Sequence, residues 1–426
     1  MNHNIHLTND PYLTPYFGEI QNRKQKITDT EQWLTGGKKE LKDFASAHEY
    51  YGLHYEGQDW IFREWAPNAT MIYLIGDFSG WECREEYRLK RINDNGDWEL
   101  RLDKDAIHDQ DLYRLKMFWN GGEGDRIPAY ARRVVQDENT KIFNAQVWTS
   151  KYEWQYPGTN IRHPFLKIYE AHVGMSSEEE RIATYDEFRK YVLPRIIKAG
   201  YNTIQLMGVQ EHPYYGSFGY HVANFFAPSS RFGTPQELKH LIDEAHRNNV
   251  AVVMDLIHSH SVKNEVEGLS KFDGTEYQYF HSGDRGYHEA WDSRCFDYGK
   301  NQVLHFLLSN CRYWLDEFNV DGFRFDGITS MLYMHHGIGY TFTSYDDYFN
   351  QHVDTDAYVY LSLANKVIHD VNPSAVTLAE DISGMPGLVC SPEQGGAGFD
   401  FRQAMGVSDY WFKMLKDMRD EDWNMD

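Results

Sequence analysis

The feature that most constrains the fold is an alternation of strand and helix patterns that runs from about residue 166 to residue 401. Short apolar runs are separated by longer segments whose apolar residues recur every three or four positions. The predicted strands are 166–170, 203–207, 250–255, 320–325 and 375–379, with a sixth near 399–401. The predicted helices are 185–199, 237–248, 302–318 and 357–371. Helices between successive strands impose parallel pairing through right-handed crossovers.

Apolar strands that are buried on both faces fit either a doubly wound sheet or a (β/α)8 TIM barrel. No glycine-rich phosphate loop follows the first strand, which disfavours a dinucleotide-binding sheet. Three acidic residues, Asp255, Asp326 and Glu380, stand at the carboxyl ends of predicted strands, the edge at which barrel enzymes build their active sites. The pattern therefore predicts a barrel, which is incomplete in this chain because only five or six strand–helix units are present.

Two other segments precede the predicted barrel. Residues 1–55 show helical periodicity with polar faces, as in 31–51, and predict a helical amino-terminal segment. Residues 56–150 contain short alternating runs that are divided by turn signals. These runs are 60–65, 71–75, 98–102 and 113–117. Their spacing predicts an all-β immunoglobulin-like sandwich, and the barrel is then expected over 151–426.

The charge balance excludes one class of partner. Lys and Arg number 42 against 64 Asp and Glu, a net charge of −22, whereas nucleic-acid binding needs clustered positive charge. No apolar run is long enough to cross a bilayer, and the first ten residues lack the pattern of a secretion signal. The four cysteines, Cys83, Cys295, Cys311 and Cys390, are scattered, which indicates a reducing compartment. We therefore expect a cytoplasmic protein without nucleic-acid or membrane partners.

Strand alternation gives the acidic residues different surroundings. Arg324 and Asp326 share one side of their strand, and a guanidinium keeps a neighbouring carboxylate ionised, as a nucleophile requires. Glu380 follows Val376 and Leu378 on one face, and a carboxyl above apolar side chains stays protonated more readily, as a general acid requires. Such a pair suits retaining glycoside chemistry. Acidic residues at strand ends also cap helices or pair with lysines, so spacing alone leaves both interpretations open.

Several segments carry a resemblance to a known family. Residues 255–260 (DLIHSH), 322–327 (GFRFDG) and 378–381 (LAED) resemble three of the four signature segments of the α-amylase superfamily of glycoside hydrolases and transglycosidases. Residues 168–177 and 216–234 resemble the 1,4-α-glucan branching enzymes. Residues around Trp65 and Trp81 resemble the carbohydrate-binding domain that precedes the barrel in that family. The similarity extends over nearly the whole chain.

The resemblance implies a role for each matching residue. Asp326 matches the nucleophile that attacks the anomeric carbon, and Glu380 matches the acid that protonates the departing glucan and later acts as a base. Arg324 would keep the nucleophile ionised and oriented. The residues that match contacts to the sugar are Asp255, His260, Tyr220 and His212. For Tyr220, His212 and His260 the alternative is a structural role in packing or hydrogen bonding, and His258 is a rival to His260.

Three further residues keep more than one interpretation. His221 stands where the family usually carries a glutamine, so its role is open. Trp65 and Trp81 lie in the β-rich segment, where a flat indole ring can stack on a sugar face. A tryptophan that is simply buried in the sandwich fits the same pattern.

The resemblance implies a two-step reaction on an α-1,4-glucan such as glycogen or starch. Cleavage of an α-1,4 bond leaves the glucan on Asp326, and a 6-hydroxyl then displaces it with Glu380 as base, which forms an α-1,6 branch with net retention. No metal or organic cofactor is implied, and the His, Asp and Glu residues follow no zinc-type spacing. Two alternatives are a glycoside hydrolase that uses the same carboxylates and a non-catalytic glucan-binding protein.

One family feature is not found in the sequence. The fourth signature, a His-Asp pair that supplies a third carboxylate, is absent because no histidine follows Glu380. The barrel units stop after five or six, and the family's carboxyl-terminal β-domain is not present. A truncated sequence explains all three observations. We therefore expect this chain to be the amino-terminal part of a longer protein whose continuation contains a strand that ends in His-Asp.

Overall fold

The computed structural model describes Leu7, residues 10–156, Gly158 and residues 165–423, and it begins with helices. These are α1 (Phe17–Thr35), α2 (Leu41–Phe44) and α3 (Ala47–Tyr50). The helical periodicity predicted for 31–51 is therefore divided among three helices. Helix α1 ends because Gly36 adopts the left-handed conformation with φ of 60°, which reverses the chain direction at a helix end.

The next region is a sandwich of two antiparallel sheets. Its strands are β1 (Gly52–Glu56), β2 (Asp59–Trp65), β3 (Ala69–Gly76), β4 (Lys90–Arg91), β5 (Asp97–Asp103), β6 (Leu112–Trp119), β7 (Gly122–Arg126), β8 (Val134–Gln136) and β9 (Phe143–Gln146). One sheet has the order β1-β2-β5-β4, and the other has the order β3-β6-β9-β8 with β7 paired to β6. Phe62, Leu74 and Leu115 are buried in the hydrophobic core.

The predicted sandwich is confirmed, and β2, β3, β5 and β6 correspond to the four predicted runs. The prediction that the helical segment extends to residue 55 is wrong, because β1 begins at Gly52 and pairs with β2. Strands β4 and β7 to β9 were not predicted from the sequence, since runs of two to five residues carry too little alternation to stand out.

Eleven strands follow in the part of the chain that the structure describes. They are β10 (Ile168–Ala171), β11 (Thr203–Leu206), β12 (Gln210–Glu211), β13 (Asn224–Pro228), β14 (Ala251–Leu256), β15 (Ser261–Val262), β16 (Tyr287–His288), β17 (Ser293–Arg294), β18 (Gly322–Phe325), β19 (Val376–Ala379) and β20 (Phe401–Arg402). The central sheet has the order β10-β11-β14-β18-β19-β20, and all of its neighbours are parallel. This open sheet is part of a (β/α)8 barrel, as predicted.

Four helical segments were predicted between the central strands, and the structure has helices in all four. The helices of this region are α4 (Tyr185–Glu187), α5 (Leu193–Lys198), α6 (Pro235–Arg247), α7 (Asn301–Phe318), α8 (Ile328–Leu332), α9 (Thr355–Val371) and α10 (Met405–Asp417). Helices α8 and α10 were not predicted, and α10 follows β20, the last strand of the central sheet. The segment predicted as one helix over 185–199 contains a π-helical stretch at Phe188–Val192 between α4 and α5. Pro194 lies just after this stretch and has no N–H to donate to the preceding turn, which favours such a widening.

The sandwich and the barrel are joined by the long segment that follows β15. Asn68 makes two hydrogen bonds of 3.0 Å with Asp273, one from its backbone N–H and one from its side chain. Arg126 donates to the carbonyl oxygens of Phe272 and Lys271 at 2.9 and 2.8 Å. The sandwich is therefore fixed to a segment that leaves the central sheet beside the predicted site. Among the described residues, no helix is both long and apolar enough to span a bilayer.

Candidate active site

The three predicted acidic residues meet at the carboxyl edge of the central sheet. Asp255 is the penultimate residue of β14, whereas Asp326 and Glu380 directly follow β18 and β19. Since these three strands are neighbours and parallel, their carboxyl ends lie side by side. Val376 and Leu378 are buried beneath Glu380 together with Val253, as the alternation in the sequence predicted. The site is therefore built on rigid strands above apolar side chains.

Arg324 on β18 connects all three carboxyl groups. Its Nη1 lies 3.0 Å from Asp255 Oδ2 and 3.0 Å from Asp326 Oδ1, and its Nη2 lies 2.9 Å from Glu380 Oε2. Its Nε donates to the side-chain oxygen of Gln403 at 3.3 Å. Burial lowers the pKa of Arg324, but the three carboxyl groups raise it above its ordinary value. The guanidinium therefore stays charged and fixes the relative positions of the acids.

Asp326 and Glu380 lie side by side and interact through a side-chain hydrogen bond. Burial raises the pKa of both groups, and the charge of Asp326 raises the pKa of Glu380 further. The hydrogen bond between them lowers the pKa of Asp326 and raises that of Glu380. The backbone N–H of Gly327 donates to Glu380 Oε2 at 2.8 Å. The two carboxyl groups are therefore held in contact, and their interaction shifts their pKa values in opposite directions.

Asp255 and Tyr220 form the second part of the site. The Tyr220 hydroxyl donates to Asp255 Oδ2 at 2.8 Å, and the Tyr220 ring lies beside the Arg324 guanidinium, 5.9 Å from ring centre to Cζ. Asp255 Oδ1 is buried and has no hydrogen-bond partner. Burial raises the pKa of Asp255 to about 7, although Arg324 opposes this shift. A buried oxygen without a partner is the kind of group that a ligand hydroxyl can satisfy.

The predicted histidines are all buried but differ in their hydrogen-bond partners. His260 donates from Nε2 to the Tyr220 carbonyl at 2.7 Å, and its Nδ1 lies 2.9 Å from Ser259 Oγ, so both ring nitrogens already have protein partners. His212 is buried, and its Nε2 has no partner. His258 bonds to Tyr360 and to Asn310. His258, the rival of His260, is therefore part of the layer between strands and helices.

The two tryptophans of the sandwich differ in exposure. Trp65 is only 8% exposed, its Nε1 donates to the Asn95 carbonyl at 3.0 Å, and its ring packs edge-on against Tyr279. Trp81 is 40% exposed and donates from Nε1 to Asp77 at 3.1 Å. Trp65 has little surface open to a ligand in this structure, so it fits the interpretation of a tryptophan buried in the sandwich. Trp81 presents a ring to solvent.

The structure adds residues that sequence reasoning missed. Ser259 hydrogen bonds to Asp326 and to His260. It lies within the 255–260 signature segment, so its position in the sequence could have identified it as a site residue. Gln403 and Trp291 come from distant segments without a recognisable pattern. Trp291 lies against the ring of His260 at 4.8 Å. Only the folded chain brings these side chains to the site.

The described residues contain one cluster of three side chains with the geometry to hold a metal ion, and it lies apart from the three acids. It comprises His48, Glu49 and Asp316. Arg312 already donates to Glu49 at 3.1 Å and to Asp316 at 2.9 Å, so a cation occupies the space between these carboxylates. This arrangement does not favour a metal ion.

Two protein-family models match the chain. The model described as carbohydrate-binding module 48 (isoamylase N-terminal domain) matches residues 50–131, within which the sandwich strands β1 to β7 lie. The model described as the catalytic domain of alpha amylase matches residues 193–290, which include Tyr220, Asp255 and His260. The fold and these two matches make the chain similar to members of the α-amylase superfamily.

Curated relatives narrow this assignment. The chain is 46% identical to the 1,4-alpha-glucan-branching enzyme of Dictyostelium discoideum and 45% identical to that of Aspergillus oryzae, and each match covers 98% of this chain and 62% of the relative. It is 46% identical to the enzyme of that name from Solanum tuberosum over 99% of this chain and 50% of the relative. Within the superfamily, the chain belongs among the relatives of the 1,4-alpha-glucan-branching enzymes. It spans between half and about two thirds of the length of these proteins.

Solved structures share the fold. The catalytic module of the pneumococcal glycogen-degrading virulence factor SpuA matches with a TM-score of 0.61 and 18% identity over 80% of this chain and 52% of that chain. A pullulanase from Bacillus acidopullulyticus matches with a TM-score of 0.59 and 21% identity over 78% of this chain and 41% of that chain. At these identities the likeness concerns the architecture, a β-rich domain followed by a barrel.

Proposed function

We propose that the chain carries the catalytic carboxyl groups of a 1,4-α-glucan branching enzyme. The observation that carries the proposal is the contact between Asp326 and Glu380, both held by Arg324, in which their hydrogen bond lowers the pKa of Asp326 and raises that of Glu380. A carboxyl group that acts as nucleophile beside one that acts as acid is the pair that retaining glycosyl transfer requires. The identity of about 45% to proteins named as branching enzymes supports a glucan as the substrate.

The proposed reaction has two steps. In the first, the Asp326 carboxylate attacks the anomeric carbon of an α-1,4-linked glucosyl unit while Glu380 gives its proton to the departing 4-oxygen. In the second, the Glu380 carboxylate takes the proton of a glucan 6-hydroxyl, whose oxygen attacks the same carbon and releases Asp326. Two inversions retain the α-configuration, and the product has an α-1,6 branch. We assign no metal or organic cofactor to either step.

The remaining site residues bind and orient the sugar in this proposal. Asp255 Oδ1, which has no protein partner, accepts a hydrogen bond from a sugar hydroxyl, and His212 Nε2 provides a second polar contact. Tyr220 supplies an aromatic surface, and His260 holds the Tyr220 backbone through its carbonyl. Trp81 offers its exposed ring to glucan chains at a distance from the catalytic centre.

We further propose the division of the chain into a helical segment (1–55), a carbohydrate-binding sandwich (56–150) and a catalytic barrel (151–426). A role in glycogen synthesis and a cytoplasmic location are part of the same proposal. A relative from Arabidopsis thaliana, 46% identical, is named as chloroplastic/amyloplastic, so location varies among similar proteins. Fractionation of the source cells tests the location directly.

The function is tested by incubation of the protein with linear amylose. Anomeric proton signals in the NMR spectrum count α-1,6 linkages, and a reducing-end assay counts hydrolysed bonds. Branching predicts new α-1,6 signals without a matching rise in reducing ends. A proportionate release of reducing ends would instead establish a hydrolase.

Two variants serve as controls for this assay. Asp326→Asn and Glu380→Gln keep the size of each side chain, and both are expected to abolish new linkages. If glucan binding, measured by retardation in a glycogen-containing gel, is all that the parent protein shows, the non-catalytic alternative replaces the proposal.

A further inference from the structure

A short hairpin beside the site is held in place by the strand that follows His260. Strands β16 and β17 form the hairpin, and β15, which begins at Ser261, pairs with β17. Trp291 lies in the turn between β16 and β17. Because β15 directly continues the chain from His260, the position of the hairpin is coupled to that of the histidine ring.

The ring of Trp291 fills the space between His260 and the backbone that follows Asp326. Its centre lies 4.8 Å from the centre of the His260 ring, with 52° between the planes. A methyl group placed on Gly327 would lie 3.1 Å from Trp291 Cη2, so the indole ends against the residue directly after Asp326. Trp291 is half-buried and thus packs against two parts of the site at once.

His288 stacks on the ring of Trp291. The two rings are stacked with their centres 4.1 Å apart and 7° between the planes. His288 Nδ1 accepts a hydrogen bond from the Trp291 backbone N–H at 3.2 Å, so its Nε2 carries the proton and donates to Ser330 Oγ at 2.9 Å. Burial lowers the pKa of His288 to about 4, which keeps the ring neutral in this arrangement. Ser330 belongs to α8, the helix that follows Asp326.

His221 contacts both Trp291 and His260. Its side chain hydrogen bonds to the backbone carbonyl of Trp291, and its ring lies 6.0 Å from that of His260. Tyr220 precedes His221 and accepts the hydrogen bond of His260 through its carbonyl. His260 is therefore enclosed by Tyr220, His221 and Trp291.

We propose that Trp291, whose backbone is hydrogen-bonded to His221 and whose ring is stacked on His288, is a positioning residue for the proposed glycosyl transfer. It acts through two neighbours. It fixes the His260 ring, which holds the Tyr220 backbone, and it limits the movement of the Asp326–Gly327 backbone. A shift of a reacting group by about 1 Å can cost about a hundredfold in rate, so loss of this packing lowers the rate of nucleophilic attack.

The inference rests on the proposed function and is tested with a 5-fluoro-α-glucosyl fluoride. In the proposed first step, Asp326 displaces fluoride from this probe and forms an ester that intact-mass spectrometry detects. Trp291→Ala is expected to lower the rate constant of labelling about tenfold or more, with a smaller change in the probe concentration at half-maximal rate. Trp291→Phe keeps an aromatic ring on His288 and is expected to restore the rate to within about threefold of the parent.

A matched control separates positioning from general loss of packing. Trp154 is also half-buried but packs against Tyr152, outside the group of residues around Arg324. Trp154→Ala is expected to lower the melting temperature as Trp291→Ala does, but to leave the labelling rate within about twofold of the parent. Equal labelling by Trp291→Ala and the parent would overturn the inference and leave the proposed function intact.

A second measurement does not depend on catalysis. The imidazole nitrogen resonances of His260, assigned with His260→Gln, report its hydrogen bond to the Tyr220 carbonyl. Trp291→Ala is expected to shift and broaden them, and Trp291→Phe is expected to leave them close to those of the parent. If the parent protein is not labelled by the probe, the proposed function fails. Unchanged His260 resonances in Trp291→Ala would then reject the positioning role on its own evidence.

Discussion

Acidic side chains stand at both edges of the central parallel sheet, and the two edges use them differently. At the amino edge, Asp321 precedes β18 and Asp400 precedes β20, and each accepts hydrogen bonds from a backbone N–H and from a histidine. The distances are 2.7 Å from Val252 N and 2.7 Å from His246 Nε2 for Asp321, and 2.9 Å from Thr377 N and 3.0 Å from His369 Nε2 for Asp400. These groups join the sheet to the helix layer.

At the carboxyl edge, the acids depend mainly on one guanidinium and on each other. Asp255, Asp326 and Glu380 all lie within 3.0 Å of Arg324, and Asp255 keeps a buried oxygen without a partner. Burial raises the pKa of each of these three groups. Burial also acts to raise the pKa of Asp400, but the hydrogen bonds from His369 and Thr377 lower it below its ordinary value. We therefore expect acids whose pKa burial raises, rather than acids at strand ends in general, to mark the reactive edge.

The largest expected difference between the edges concerns reactivity. Asp326→Asn removes the proposed nucleophile and is expected to lower the rate of labelling by the fluoroglucosyl probe by more than about a thousandfold. We expect stability to change little, because Arg324 keeps its contacts with Asp255 and Glu380 and the charge of Asp326 that raises the pKa of Glu380 is removed. Mass spectrometry measures the label, and thermal unfolding measures stability. A fall in melting temperature as large as that of Asp321→Asn at the amino edge would contradict the difference between the two edges.

The second prediction concerns pH and Asp255. Because burial raises the pKa of Asp255 to about 7, the folded chain keeps a proton between about pH 4 and pH 7 that the unfolded chain releases. Stability therefore falls as pH rises across this interval, by up to about 4 kcal/mol from this group. Asp255→Asn is expected to reduce that fall. Unfolding followed across the interval in both proteins measures it, and parallel pH profiles would contradict the assigned shift.

The sequence predicted the strands that carry the site and the residues at their ends, because hydrophobic periodicity and signature segments are local properties. It also predicted that Arg324 and Asp326 share a side of β18. It did not distinguish Trp65 from Trp81, since exposure depends on how the sandwich meets Tyr279. It also gave no indication of Trp291, whose position depends on a hairpin that pairs with β15 across an intervening segment. Contacts of this kind are set by tertiary packing.

The third prediction concerns the amino edge, where the effect is on stability alone. Asp321 is buried, and its Oδ2 accepts from the backbone of β14 and from His246. In Asp321→Asn the charge is lost and an amide cannot satisfy both donors equally, so we expect a loss of about 2 kcal/mol in the free energy of unfolding. Denaturant unfolding measures this loss of stability.

Asp316→Asn, which affects an ion pair between exposed Asp316 and Arg312, is the control and is expected to change stability by less than about 0.5 kcal/mol. Reduced labelling of Asp321→Asn by the probe, at a temperature where it is folded, would contradict a purely structural role.

The smallest expected effect concerns Asp400 and appears in acid. The pKa of Asp400 is lowered because hydrogen bonds from His369 and Thr377 outweigh the effect of burial. The folded chain therefore favours the ionised form of Asp400 more than the unfolded chain does. The stability that this provides is present above about pH 4 and is lost as pH falls through the lowered pKa. Asp400→Asn is therefore expected to flatten the decline in melting temperature below about pH 4 while it slightly lowers the melting temperature near neutrality.

Asp409→Asn, on the exposed face of α10, is the matched control and is expected to leave the acid profile unchanged. An Asp400→Asn profile that instead changes between about pH 4 and pH 7, as expected for Asp255, would mean that the two edges do not hold their acids differently.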